Sequence, residues 1–210
     1  PSFPALAEHF RTTPANIALS ISLFAVGMAV AQLLIGPLSD AIGRKGLLLV
    51  GMSISIVGAI GCVNSSDYTL FLMFRVMQAL GCGCFVLSQP LVQDLFEGEQ
   101  RDRLRILMVT ASGIFISISP LAGTFLQATL GWRGSFWVFI GLAAVVLIKA
   151  WLFLDNGRPT HSGARPGFIR SYRRVLGDFE FVSYWLISAF AFACHFSFIV
   201  ISPLIFIDQL

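Results

Sequence analysis

The sequence predicts an all-α integral membrane protein, a bundle of about six membrane-spanning helices. Three observations carry that prediction. Hydrophobic residues make up 56% of the 210-residue chain and charged residues 12%, with a mean hydropathy of +0.82; a soluble domain holds about 45–50% apolar and about 25% charged residues. Six apolar runs each come close to the ~20 residues that a helix needs to cross a bilayer. The basic residues alternate from one connection to the next, as they do at the two faces of a membrane.

The first run extends from about Asn16 to Leu38 and the second from about Gly46 to Val63. The third covers Leu70 to Val92, the fourth Ile106 to Leu130, the fifth Ser135 to Leu154 and the sixth Val182 to Ile207. Thr13 is a suitable N-cap for the first, with Pro14 at the first helical position, where its missing N–H costs nothing. Residues 1–15 carry only Arg11, the Asn64–Thr69 connection no base, and the Gly131–Gly134 turn only Arg133. The intervening connections carry Arg44 and Lys45, then Arg101, Arg103 and Arg105, then Arg158, Arg165, Arg170, Arg173 and Arg174. Ten bases against two place the Gly36–Lys45 turn, the Gln93–Arg105 loop and the long Asp155–Glu180 connection in the cytoplasm. Within that connection, Phe168–Leu176 has apolar residues at i, i+1, i+4, i+7 and i+8. This is a basic amphipathic helix suited to lie on the inner leaflet.

The composition also excludes functions. A net charge of +3 gives no electrostatic footprint for nucleic acid. Cys62, Cys82, Cys84 and Cys194 all lie in apolar runs and read as small hydrophobes. Cys82-Gly-Cys84 lacks metal-site spacing and a nearby histidine, so no metal and no cofactor is expected. Paired carboxylates, a Ser/His/Asp set or a phosphate-cradling glycine loop are missing at membrane depth, which argues against an enzyme. Small residues recur four apart at Ala25/Ala29, Gly27/Ala31, Gly51/Ser55 and Ala79/Gly83. Such faces let helix backbones approach closely in lipid.

Few ionisable residues fall inside the spans, where they are expensive and mark function. Arg75 lies about 8 Å inside the third span at 1.5 Å per residue. It needs an acceptor there, and Gln78 at i+3 is placed to act with it. Lys149 is near a span end, where its stem can snorkel to the surface. His195 is mid-span; a neutral, hydrogen-bonded histidine is a simpler reading than a proton relay. Pro90, Pro120 and Pro203 interrupt helical hydrogen bonding and are expected to kink their spans. One short stretch between two apolar runs packs Gly, Pro, an acid and two bases into ten residues: Gly36-Pro37-Leu38-Ser39-Asp40-Ala41-Ile42-Gly43-Arg44-Lys45. It is expected to form a tight charged hairpin at the membrane surface.

That stretch resembles the major facilitator superfamily pattern Gly-x-Leu-x-Asp-Arg-x-Gly-Arg-Lys, departing at Ala41. Arg75-Val-Met-Gln78-Ala-Leu-Gly81 is similar to the superfamily's fourth-span Arg-x-x-Gln-Gly, with Ala79 for glycine. Ser119-Pro120-Leu-Ala-Gly123-Thr124 is similar to its antiporter motif Gly-Pro-x-x-Gly-Gly, with both outer glycines replaced. Asp94-Leu-Phe-Glu-Gly-Glu, Gly131-Trp-Arg-Gly-Ser-Phe-Trp137, Tyr172-Arg-Arg-Val-Leu and Ser202-Pro203 resemble the drug:proton antiporters of the bicyclomycin-resistance (Bcr/CflA) type. In that register the six runs are spans two to seven of twelve, and Phe3-Pro4-Ala5-Leu6 is the outer end of the first. Residues 1–154 are then an N-terminal bundle lacking most of its first span. Residues 155–180 are a cytoplasmic linker and 181–210 the first span of a truncated second bundle.

The resemblance implies secondary transport by alternating access, with the two bundles rocking about a midplane site. It implies proton-coupled efflux of drugs or other amphipathic small molecules from a bacterial inner membrane. The alternatives are transport of a specific metabolite, or a fragment inactive on its own. Partners are then the substrate, protons, the lipid bilayer and a missing second half. The turn, with Gly36, Asp40, Gly43, Arg44 and Lys45, becomes a state-dependent latch. Asp40 would meet a helix N-terminus of the other half, and Arg44 would pair with Asp94. Arg75 and Gln78 become coupling or substrate residues, and Pro120 and Gly123 a hinge.

Overall fold

A computed structural model describes residues 2–154 and 168–208. Of residues within those ranges, the side chains of Asp40, Ala41, residues 168–171, His195, Phe196 and residues 198–208 lie outside the description. The chain divides into two units, Pro1–Thr160 and His161–Leu210.

In the first unit, α1 (Phe3–His9) precedes the long α2 (Pro14–Ile42). The expected cap is present: the Thr13 hydroxyl oxygen accepts from Asn16 N at 3.3 Å, with Pro14 opening the helix. Then follow α3 (Arg44–Asn64), α4 (Tyr68–Cys82), a 3₁₀ segment (Gly83–Leu87) and α5 (Ser88–Leu95). The unit ends with α6 (Gly98–Leu130) and α7 (Trp132–Phe153). The second unit holds α8 (Phe168–Leu176), as the amphipathic pattern predicted, and α9 (Phe179–Asp208). Every described element is helical. Among the described residues, five stretches are long and apolar enough to cross a membrane: Pro14–Ser39, Arg44–Asn64, Tyr68–Leu95, Gly98–Leu130 and Trp132–Phe153. In α9 the described stretch Phe179–Cys194 is likewise apolar.

Three connections differ from expectation. The Gly36–Lys45 hairpin is mostly helix, because α2 continues through Pro37 to Ile42. Only Gly43 leaves the helical path, at φ 101° and ψ 141°. The Gln93–Arg105 loop shrinks to Phe96 and Glu97, since α6 begins at Gly98 and the Glu99–Arg103 pair at i, i+4 supports its first turns. The Gly131–Gly134 turn reduces to Gly131, at φ 66°.

The third span also departs from a continuous helix. Pro90 cannot donate to the Val86 carbonyl, and Gly81 and Gly83 weaken the preceding turn. The chain tightens into 3₁₀ over Gly83–Leu87 before resuming as α5. Pro120 behaves differently. α6 runs through it unbroken, and the carbonyl it leaves behind, Ile116 O, accepts from the Ser119 hydroxyl at 3.0 Å. α9 likewise runs through Pro203.

Because Gly43 alone reverses the chain, its left-handed φ is the requirement. A Cβ there would meet nothing within 4 Å, so only the backbone resists substitution. Gly43→Ala is expected to cost about 1–3 kcal/mol. Thermal unfolding in detergent should show a Tm lowered by about 2–10 °C; an unchanged Tm would show that the loop relaxes freely.

Packing centres on α4, which lies against both α2 and α3, while α3 also packs on α7. The small-residue pattern explains these seams. A Cβ on Gly27 would lie 3.1 Å from Ala79 Cβ, and one on Gly83 would overlap the side chain of Ala31. On the other side, Gly51 and Gly58 meet Cys84 and Gln78, where added Cβ atoms would come within 2.6 Å. Ala25 and Ala29 are exposed and belong to neither seam. One core gathers Leu6, Ala7, Phe10, Ile17, Cys62, Phe71 and Trp132; the second gathers Ala31, Ile35, Met52, Cys84, Leu87 and Ala143. α6 contributes no buried residue. Its exposed apolar side chains, such as Phe115 and Leu121, suit a lipid or protein surround.

Candidate functional site

The structure brings the candidate residues together in two places along α4 and its continuation. The first lies between the two cores. Arg75 on α4 is half-buried and donates from Nη1 to Gln78 Oε1 at 2.8 Å. Gln78 is 4% exposed and sits against Gly58 of α3. The guanidinium carbon also lies 4.3 Å from the centroid of the Phe24 ring and 5.7 Å from that of Phe136. Three helices, α2, α4 and α7, therefore hold one cation. The aromatic faces offer attraction that strengthens where water is excluded, and the amide oxygen satisfies part of the fork.

The arrangement keeps a permanent positive charge inside an apolar bundle. A guanidinium has five donors and does not lose its proton in proteins, so this group can hold an anion or bias the ionisation of a nearby acid. No Asp or Glu falls within residues 14–39, 46–64, 68–93 or 106–154. Any acid working with Arg75 would come from outside these ranges. Phe24 and Phe136 were not singled out in the sequence, because 20 phenylalanines share the apolar runs and only packing separates these two.

The second place is the polar end of α2 and α3. Arg44 opens α3, and its Nη1 lies 2.7 Å from Asp94 Oδ2 near the end of α5. The side chains are 24% and 22% exposed. The pair ties the helix that follows the Gly43 reversal to the far end of the α4–α5 span. Ser39 is buried and its hydroxyl donates to Gly36 O at 2.7 Å. Lys45 is half-buried beside Arg44 in the chain, and Gly36 and Gly43 are exposed. Asp40 has its backbone in the last turns of α2. Pro120 and Gly123 stand apart from both places, on α6.

The sequence profile of the Major Facilitator Superfamily matches residues 1–210, the whole chain. The chain belongs to the Major Facilitator Superfamily. That is a family of membrane transporters and not of enzymes, and the helices of this chain form part of a superfamily bundle. Among curated relatives it is similar to the multidrug resistance protein MdtL of Shigella flexneri serotype 5b (strain 8401), at 25% identity over 206 residues. It is equally similar to the MdtL of Escherichia coli O139:H28 (strain E24377A / ETEC), again at 25% over 206 residues. Each match covers 98% of this chain and 52% of the relative. The chain thus spans about half the length of the curated relatives it matches.

As a superfamily member, the chain has a ready account of its polar features. The charged reversal is tied across helices by the Arg44–Asp94 pair, and Arg75 by Gln78 on its own helix and by the Phe24 and Phe136 rings of α2 and α7.

Proposed function

We propose that this chain forms about half of a proton-coupled exporter of drugs or similar amphipathic molecules, of the bicyclomycin-resistance (Bcr/CflA) type, in a bacterial inner membrane. Residues 1–154 supply most of the first bundle and residues 181–210 the first span of the second, with 155–180 between them. The observation that carries the reading is the Arg44–Asp94 pair, a short, partly buried bridge beside the Gly43 reversal. The names of the MdtL relatives support drugs as the cargo class.

In this reading the base-rich reversal faces the cytoplasm. Asp40 meets a helix N-terminus of the second half, where the dipole favours an anion. Gly36 and Gly43 shape the reversal, and Arg44, Lys45 and Asp94 brace it. A contact made in one state only shifts the inward–outward equilibrium by its differential energy. The pair is only partly exposed, and it tunes the equilibrium by the difference in its strength between the two states. Arg75 and Gln78 bias the coupling acid or hold an anionic group, and Pro120 and Gly123 let α6 flex. The exposed Arg173, Arg174, Val175 and Leu176 of α8 suit the inner leaflet.

Ser119 and Thr124 support a second reading, export of one specific metabolite. They stand where the antiporter motif has glycine, which stiffens the segment and adds hydroxyls. Accumulation of a drug panel in cells carrying the whole protein, with and without an uncoupler, separates the two. Broad, uncoupler-sensitive exclusion is the expected result, and exclusion of a single compound class favours the metabolite. Asp40→Asn in the same cells is expected to lower efflux about tenfold with normal membrane insertion. Full transport by that variant would sink the latch.

A further inference from the structure

We propose that His9 and Arg133 form a proton-sensitive clasp holding α1 against the start of α7, at the end of the bundle opposite the charged reversal. Arg133 Nη2 lies 3.4 Å from His9 Nε2. Arginine has donors only, so the contact needs a bare imidazole nitrogen, and the ring must be neutral with Nε2 as acceptor. The ring centroids of His9 and Trp132 are 5.2 Å apart, and those of His9 and Phe10 4.8 Å. The Arg133 guanidinium also lies 4.4 Å from the Trp132 centroid. One indole therefore touches both members of the pair.

Arg133 is not free to retreat. Its Nε donates to Val63 O at 3.1 Å, which caps the end of α3, and the stacking on Trp132 holds the rest of the fork. A proton on His9 Nε2 removes the acceptor and sets two cations 3.4 Å apart. The side that yields is α1, a seven-residue helix carrying His9, whose remaining anchors are Leu6, Ala7 and Phe10 in the first core.

The charged and titratable groups on the elements around the pair are few. On its own segment His9 has Glu8 and Arg11 as neighbours, and among the described residues no ion pair joins Glu8 to His9. From α4, Asp67 is engaged by Thr69 N and Leu70 N, and Tyr68 donates to Asn16 O. α2 brings no ionisable residue before Asp40, near its far end, and α6 none between Ile106 and Leu130. Histidine changes charge between about pH 5 and 8. With the orientation given above, the clasp faces the outer compartment, so it loosens when that side acidifies. Only the compartment rests on that orientation; the pH response of the contact does not.

The test uses the whole protein in lipid nanodiscs, with hydrogen exchange of residues 3–10 measured at pH 8 and pH 5 and corrected for intrinsic rates. Protection of α1 should fall about tenfold on acidification, while α3 and α4 stay protected. His9→Gln, which keeps a neutral side chain, should give equal protection at both pH values, and so should Arg133→Gln. A background with Trp132 as its sole tryptophan (Trp137, Trp151, Trp185 and every tryptophan in the remainder of the protein replaced by Phe) reports protonation independently, because a charged imidazole quenches the neighbouring indole. Protection that does not change with pH would overturn the clasp. So would an identical pH response in the parent and in His9→Gln.

Discussion

Arg75→Ala is expected to abolish uncoupler-sensitive efflux while leaving the helices inserted. The guanidinium lies among side chains of α2, α4 and α7, held by Gln78, Phe24 and Phe136. Under the proposed mechanism a proton-carrying acid from the rest of the protein works against this charge. Removing it leaves that acid with no fixed counter-charge in a low-dielectric setting, where such effects are largest. A structural cost accompanies the change. Gln78 Oε1 loses its partner, and a buried unsatisfied group costs about 1–3 kcal/mol. The comparison that separates the two is Arg75→Lys with Gln78→Ala. The lysine variant keeps the charge and should keep partial coupling; the Gln78 variant loses the bond and keeps the charge. Substrate-induced proton release from inverted vesicles, alongside size-exclusion profiles, gives both readouts. Normal coupling in a well-folded Arg75→Ala protein would refute the assignment.

Gly81→Val is expected to prevent the bundle from assembling. The α3–α4 seam is closed there by backbone on both sides. A Cβ on Gly81 would overlap Ser55 N and crowd Gly51 O and Ser55 Cα, none of which can swing aside. Overpacking a well-filled core costs typically about 1–3 kcal/mol, and two rigid helices leave little room for relief. Separating α3 from α4 would also open the contacts around Cys84 and Gln78. The expected observation is loss of the monodisperse detergent-solubilised peak and a sharply reduced membrane yield. Gly113→Val on α6 is the control, since nothing lies within 4 Å of its added Cβ. Similar yields for the two variants would mean that the seam opens without penalty.

Much of this structure was legible because lipid imposes simple rules. Long apolar runs must be helices, since every backbone group has to be satisfied internally. That rule found the spans, and the alternation of bases found their connections. The N-cap at Thr13 and the amphipathic α8 followed from local periodicity. What escaped was decided by neighbours distant in sequence. Pro37 suggested a break, yet the helix continues to Ile42. Pro90 and Pro120 carry the same local signal, yet one accompanies 3₁₀ and the other an intact helix. At the candidate site, the Arg75–Gln78 pair could be read from its spacing of three. Phe24 and Phe136 could not, because they come from helices that only tertiary packing brings to α4. His9 and Arg133 are 124 residues apart, and no spacing or motif pairs them.

The five residues Gly83–Leu87 have a geometric effect beyond their own length. An α-helix turns about 100° per residue and a 3₁₀ helix about 120°. Over five residues the difference accumulates to about 100° of azimuth, and the greater rise adds about 2.5 Å along the axis. Everything beyond Leu87 is therefore rotated by more than a quarter of a circle relative to an uninterrupted helix. Arg75 and Gln78 precede that offset and Asp94 follows it. Winding those five residues back to α would swing Asp94 off the bearing on which it meets Arg44, with no side-chain rotamer changed. One short stretch thus sets the phase between the cation inside the bundle and the ion pair at its rim.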